Sequence, residues 1–472
     1  MANNAGEADK NSEMSEPMME VGGQYLLGAV MGASNVGRST ENACCKEGDL
    51  MVAVIERTNM KRALERVERN KGAPGVDGMT TEELRLWLHQ HWDMIKGKLM
   101  DGTYEPAPVR HVSIPKPDGG ERMLGVPTVL DRLIQQAIAQ VMTPIFDPHF
   151  SQSSFGYRPR KTAWQAVEQT RAHMCSEERR WVIDLDLEKF FDEVHHDILL
   201  RSVRKRVKDP LLLKLIGRYL RAGMMKDGLI SQRQKGTPQG GPLSPLLSNI
   251  LLDEFDKEIE KRGHKHVRYA DDCMIYVKSK RSGECVLDSL TKWLKSRLRL
   301  KVNEKKSAVD RPWKRKFLGY SVMSRRLSQL RIAPESVKRF KSKVKQVMRK
   351  GRGRNLRRFI REDLNPILRG WISYFRKSET HQILDKLDGW IRRRLRNIVW
   401  CQWKRPRTRR KKLIALGIPE ETASKSAYNG HGPWMNCGAQ HMQFTLPNRY
   451  FLKLGLVNLQ SERAFLKETA LL

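Results

Sequence analysis

The stretch Arg268-Tyr269-Ala270-Asp271-Asp272-Cys273-Met274-Ile275-Tyr276 sets two adjacent acids between two runs of strand-forming residues. Such a pattern predicts a β-hairpin with two carboxylates at its tip. Aspartate also suits turns for conformational reasons alone, so the pair gains meaning only beside a second acidic strand. That strand is Trp181-Val182-Ile183-Asp184-Leu185-Asp186-Leu187, whose alternation puts Asp184 and Asp186 on one face and Ile183, Leu185 and Leu187 on the other. Converging carboxylates repel until a cation neutralises them. Hard divalent ions do so, and Mg²⁺ typically takes one or two carboxylates plus substrate phosphates. Two such ions roughly 4 Å apart can clamp an in-line displacement at phosphorus.

These acids must be held by a sheet, and residues 110–325 alternate short β-branched or aromatic runs with helical stretches, as one α+β domain would. Ahead of them, Val52, Ile55, Met60, Leu64 and Val67 recur at helical spacing until a Gly/Pro turn at residues 71–78, and a further helix is predicted to start under Thr80 or Thr81. After about residue 330 strand signals nearly vanish. Leu364, Ile367, Leu368, Trp371 and Tyr374, then Leu387, Ile391, Leu395 and Ile398, recur at helical spacing, with Asn365-Pro366 as an expected N-cap and first-turn pair. The expected domains are a disordered or weakly ordered leader over 1–50, an N-terminal extension over 51–109, the α+β region over 110–325, a helical domain over 326–412, and a small C-terminal module over 413–472.

The 472 residues carry 88 Lys and Arg against 53 Asp and Glu, a net charge of +35 that exceeds what solubility needs and points to a polyanionic partner. Residues 1–50 are acidic, so the body is more basic still. Residues 338–358 hold 11 Lys/Arg and no acid, and residues 391–412 hold another 11 and no acid. Such runs are the electrostatic footprint expected of a phosphate backbone. No window has the length of uncharged apolar sequence that a membrane helix needs. Seven scattered cysteines without a Cys-x-x-Cys argue against a disulfide framework or zinc cage and fit a reducing cytosol.

Seven strings then occur in one order. They are Lys71-Gly72-Ala73-Pro74-Gly75-Val76-Asp77-Gly78, Ile114-Pro115-Lys116-Pro117-Asp118-Gly119-Gly120, Phe155-Gly156-Tyr157-Arg158-Pro159, Asp186-Leu187-Glu188-Lys189-Phe190-Phe191-Asp192, Gly236-Thr237-Pro238-Gln239-Gly240-Gly241-Pro242-Leu243-Ser244-Pro245, the Tyr269 hairpin, and Phe317-Leu318-Gly319-Tyr320. Over about residues 51–472 the chain resembles the reverse transcriptase/maturase proteins encoded by bacterial group II introns. The resemblance implies a right-hand polymerase of fingers, palm and thumb, with an antiparallel palm sheet and a helical thumb/maturase domain. It implies RNA-directed DNA polymerase activity with two Mg²⁺, or Mn²⁺ in their place, acting on dNTPs, an RNA template and a DNA primer. It also implies binding of the intron RNA, action at a DNA target, and a bacterial cytoplasmic setting, nucleoid-associated on DNA.

Carried over by resemblance, Asp186 and Asp271 are metal ligands with Asp272 assisting, and Asp184 is a neighbour. Phe191 excludes a 2′-hydroxyl, Lys116 and Arg122 hold the triphosphate, and Gln239 contacts the nucleotide. Lys306 protonates the leaving pyrophosphate, although Lys305 adjoins it. The basic helices bind nucleic acid through Lys338, Arg339, Lys343, Arg352, Arg354, Arg357, Arg358, Arg392, Arg393, Arg394, Arg405 and Arg407. Trp371, Trp390 and Trp400 read as core residues or as platforms for unpaired bases. The acid-poor stretch from Ile391 onward does not suit a carboxylate-and-metal ribonuclease H domain, and isolated Cys401 and Cys437 do not suit a zinc-supported H-N-H endonuclease. The lineage without that endonuclease is therefore expected. Two other readings stay open: a splicing-only RNA-binding maturase, and a free-standing reverse transcriptase in repair or defence.

Overall fold

A computed structural model describes residues 20–21, 24–25 and 50–469, apart from 116–119, 176–180, 227–228, 232–234, 238–239 and 324–328. The leader expected over residues 1–50 thus lies almost wholly outside the described residues. The strands are β1 (Glu20–Val21), β2 (Gln24–Tyr25), β3 (Val109–Pro115), β4 (Glu121–Val126), β5 (Trp181–Leu185), β6 (Met224–Lys226), β7 (Leu229–Ser231), β8 (Lys265–Tyr269), β9 (Asp272–Val277), β10 (Ala308–Asp310), β11 (Tyr320–Val322) and β12 (Leu330–Ile332). Residues 40–339 with 377–385 form one compact unit, and residues 340–376 with 386–472 belong to another.

The first unit is α+β. Its central sheet runs β10-β5-β9-β8, and every neighbouring pair in it is antiparallel. Val182, Met274 and Tyr276 of β5 and β9 are buried on one face, while Ile183, Leu185, Cys273, Ile275 and Val277 fall on the other face and join a buried core with Leu133, Ile134, Ile250, Leu251 and Phe255. Those partners come from the helices Val129–Phe146 and Ser244–Lys261. A slip of one residue would turn Asp184 into that core, which specifies the pairing of Leu185 with Cys273. A second sheet runs β4-β3-β6-β7, with β3 and β4 antiparallel and Ile114 opposite Arg122. The Val129–Phe146 helix starts under Thr128, whose Oγ1 accepts from the Asp131 N–H at 3.1 Å.

Three local expectations need correction. The 52–67 periodicity belongs to two helices, Leu50–Ile55 and Arg57–Arg69, because Glu56 caps the second through the Thr58 N–H. Asn365 is not an N-cap. The chain is already helical through Leu356–Phe359 and Ile360–Leu364, so no free helix start exists there. Its amide instead donates to the Gly455 carbonyl at 2.7 Å and accepts from the Val457 N–H at 3.1 Å. The helix expected to start under Thr80 or Thr81 begins later, at Leu84, because residues 81–83 form a turn that is closed by Thr80 N–H donating to Glu83 and Glu83 N–H donating back to Thr80 Oγ1.

From residue 340 onward the described residues of the second unit are helical. Trp371 stacks on Phe340 at 4.1 Å between ring centres, and Trp400 is fully buried, so both are core residues. Residues 413–469 pack within this unit: Arg396 donates to the Leu446 carbonyl at 3.0 Å, and the Leu459 N–H donates to Asp388 at 3.1 Å. No helix among the described residues is long and apolar enough to cross a membrane.

Candidate active site

The acidic hairpin forms as the sequence predicts. Tyr269 pairs with Asp272, so Ala270 and Asp271 make the turn. Ala270 takes the left-handed φ of +58°, a conformation that costs an L-residue roughly 1–2 kcal/mol. Leu185 pairs with Cys273, and the same register carried one step places Asp186 beside Asp272 on the face shared by Asp184. The backbone of Asp186 is itself fixed from the 301–307 segment. Its N–H donates to Ser307 Oγ at 3.0 Å, and its carbonyl accepts from the Asn303 N–H at 2.8 Å.

The electrostatics follow from this crowding. Burial pushes the Asp272 carboxyl well above the usual range; Asp271, Asp184 and Asp186 push it further, and Lys306 opposes them. Burial likewise raises Asp184 to about 6, against Arg315, whose Nη1 lies 3.7 Å from Asp184 Oδ2. Asp184 thus has a protein cation for a partner, as befits a neighbour of the site. Among the described residues no three His, Cys, Asp or Glu side chains gather into a closed metal cage, so Asp186, Asp271 and Asp272 are not drawn into one. Mg²⁺ ordinarily uses one or two carboxylates and completes its shell with water and phosphate, and this carboxylate-rich junction fits that donor set.

Of the other expected residues, Lys306 lies near enough for its charge to act on Asp272. Phe191 is half-buried, 5.2 Å from Phe190 between ring centres, while Phe190 sits in the core. The Phe191 carbonyl accepts from the Thr237 N–H at 2.7 Å, which ties it to the segment leading into Gln239. Gly236 has φ +90°, and a Cβ there would lie 2.9 Å from the Phe191 carbonyl oxygen, so this approach requires glycine. Lys306 is exposed. Lys116 and Gln239 lie outside the described residues. Arg122 is described only as a β4 residue opposite Ile114.

The basic residues divide by environment. Lys338, Lys343, Arg352, Arg354, Arg357, Arg358, Arg405 and Arg407 are exposed, whereas Arg339, Arg392, Arg393 and Arg394 are half-buried. The acid-free run to residue 358 is partly balanced from just beyond it. Arg354 pairs with Asp363, and Arg358 pairs with Glu362 at 2.8 Å. The Arg393 and Arg394 guanidiniums lie 4.3 and 4.2 Å from the centre of the Trp434 ring. Trp390 is half-buried near Lys341 and Arg394.

The sequence reading missed the scaffold behind the hairpin. Arg268, 1% exposed, forms an ion pair with fully buried Asp256, at 2.6 Å for Nη2 to Oδ2. Gly156 abuts the turn so closely that a Cβ there would lie 2.4 Å from the Ala270 nitrogen. The available signal was a cation placed between Val267 and Tyr269 directly before the acidic turn, since a buried charge demands a partner. His196 Nε2 bonds the Gly236 carbonyl oxygen at 2.7 Å, and His266 lies against Asp256.

Known proteins resemble the chain in two consecutive regions. Residues 114–322 match the family described as reverse transcriptase (RNA-dependent DNA polymerase), and residues 337–415 match the group II intron maturase-specific domain. Protein YkfC of Escherichia coli K12 is 40% identical over 198 residues, covering 41% of this chain and 52% of that protein. The group II intron-encoded protein LtrA of Lactococcus lactis is 28% identical over 343 residues, covering 59% of this chain and 57% of that protein. A solved partial Cas6-RT-Cas1–Cas2 complex matches at 27% identity and a TM-score of 0.35, over 52% of this chain and 42% of that one. The chain spans about half the length of these curated relatives. With a polymerase palm sheet, acids at its hairpin and both family models matched in order, the chain belongs to the group II intron reverse transcriptase/maturase family.

Proposed function

We propose that the chain is an RNA-directed DNA polymerase that adds dNTPs to a primer 3′-hydroxyl on an RNA template. In the same proposal it binds its group II intron RNA as a maturase, assisting splicing and mobility into a DNA target within the bacterial cytoplasm. The observation that carries the polymerase reading is the junction of β5 and β9, where Asp186 stands beside Asp272, with Asp271 in the turn.

Asp186 and Asp271 would hold the divalent ions, two Mg²⁺ or Mn²⁺ in their place, with Asp272 assisting. Those ions, when bound, supply Lewis acidity toward the primer 3′-hydroxyl and charge neutralisation for pyrophosphate. Lys306 delivers a proton to the leaving group, and its charge acts on Asp272. Phe191 blocks the space a 2′-hydroxyl would need. Lys116 and Arg122 bind triphosphate oxygens with ammonium and guanidinium donors, and Gln239 contacts the nucleotide. Exposed cations such as Lys338, Lys343, Arg352, Arg357, Arg405 and Arg407 bind the RNA backbone.

The test is primer extension by the purified protein on a heteropolymeric RNA template with Mg²⁺ and dNTPs at stated salt, beside Asp271→Ala. Long cDNA from the parent and none from Asp271→Ala supports the reading. Equal inertness of both proteins, with tight binding of intron RNA retained, overturns it in favour of a splicing-only maturase.

A further inference from the structure

Resting on the polymerase reading, we propose that Arg268 is a positioning residue of this site, setting where Asp271 stands through a bond to the residue before it. A guanidinium has five N–H donors, and here all five are used. Nε donates to Asp256 Oδ1 at 2.7 Å and Nη2 to Asp256 Oδ2 at 2.6 Å. Nη2 also donates to Ser154 Oγ at 2.8 Å, and Nη1 donates to Asn249 Oδ1 at 3.1 Å and to the Ala270 carbonyl at 2.8 Å. Ala270 is the left-handed residue of the turn, and such conformations persist only where surroundings over-determine them.

The bonds join three motifs. Asn249 and Asp256, seven residues apart, lie two turns apart on the Ser244–Lys261 helix that follows the Gln239 segment. Asn249 also donates to the Gly156 carbonyl at 2.8 Å, and Gly156 abuts Ala270. Ser154 belongs to the segment that pairs with β8, where the Arg268 N–H donates to the Ser153 carbonyl and the Phe155 N–H to the Arg268 carbonyl. Stability alone does not require this arrangement, because apolar side chains replace buried ion pairs without loss in many cores. What arginine adds is a directed bond to the backbone that carries Asp271.

The test uses the full chain with Arg268→Lys, which keeps the charge but not the five-donor fork, and with Asn249→Ala, which removes two struts and leaves the ion pair. Single-nucleotide incorporation is measured per active site, with the KM for dNTP, primer–template affinity and thermal stability. Arg268→Lys is expected to slow incorporation about 10- to 100-fold and Asn249→Ala about 3- to 10-fold, with KM and affinity within about twofold. Either folded variant keeping the parental rate per active site, at whatever melting temperature, overturns the inference. So does a slower rate that is matched by an equal loss of primer–template affinity. Should Arg268→Lys fail to fold, Asn249→Ala decides by the same criteria. A parent that never incorporates sinks the polymerase reading itself, and this inference with it.

Discussion

Gly156→Ala should damage catalysis far more than folding, and the size of the effect follows from the turn. A Cβ at residue 156 would lie 2.4 Å from the Ala270 nitrogen and 3.1 Å from both the Ala270 Cα and the Tyr269 carbonyl carbon, where ordinary contacts begin at 3.4 Å. All three atoms are backbone, so no side chain can swing away. The tip must retreat by about 1 Å, and a displacement of that size at reacting groups costs roughly 100-fold in rate. Overpacking of this kind costs about 1–3 kcal/mol of stability, which a unit with about 5–15 kcal/mol in hand survives. The assay is single-nucleotide incorporation on an RNA template, normalised to active enzyme by burst amplitude. Gly97→Ala serves as control, because a Cβ there meets nothing within 4 Å. A Gly156→Ala enzyme within about threefold of the parental rate per active site would refute the claim that Gly156 sets the position of the hairpin tip.

Phe191→Ala should leave dNTP incorporation within about tenfold while raising ribonucleotide incorporation by a larger factor, measured as the ratio of kcat/KM for the two sugars; an unchanged ratio would return Phe191 to a packing role. Arg357→Ala should lower the slope of log affinity against log salt for intron RNA by about one, and Arg354→Ala by less, since Arg354 already pairs with Asp363 and Glu362. Equal slopes for the two variants would place the footprint elsewhere. Burial would raise the Asp256 carboxyl, but the Arg268 charge and the bonds from His266 and Arg268 outweigh it and hold it at about 2, below its ordinary 3.8. A depressed carboxylate contributes stability above its unfolded pKa and loses it as pH falls through the folded one. The urea-midpoint difference between parent and Asp256→Asn should therefore be flat from neutral pH to about 5 and shrink between about 4 and 2; a difference that grows on acidification would contradict the pairing.

The sequence by itself determined the acidic centre, because its signals are local. Alternation in residues 181–187 puts Asp184 and Asp186 on one face whatever else the chain does, and a two-residue turn between β8 and β9 leaves Asp271 and Asp272 at the tip. The uneven distribution of charge was legible for the same reason, since composition needs no partner. What depended on distant partners was not. Residue 268 reads as one more cation in a basic chain until Asp256, Asn249, Ser154 and the Ala270 carbonyl converge on it from separate elements. Asn365-Pro366 carries a sound helix-start signal, yet a helix already running from residue 356 and a C-terminal segment needing a donor and an acceptor gave the side chain other work. Gly156 looks like a turn glycine, and only the packing of the hairpin tip against it shows why no Cβ fits. Short-range periodicity decides which face a side chain occupies, whereas buried polar pairing and close backbone approach are settled only when segments a hundred residues apart meet and every buried donor must find an acceptor.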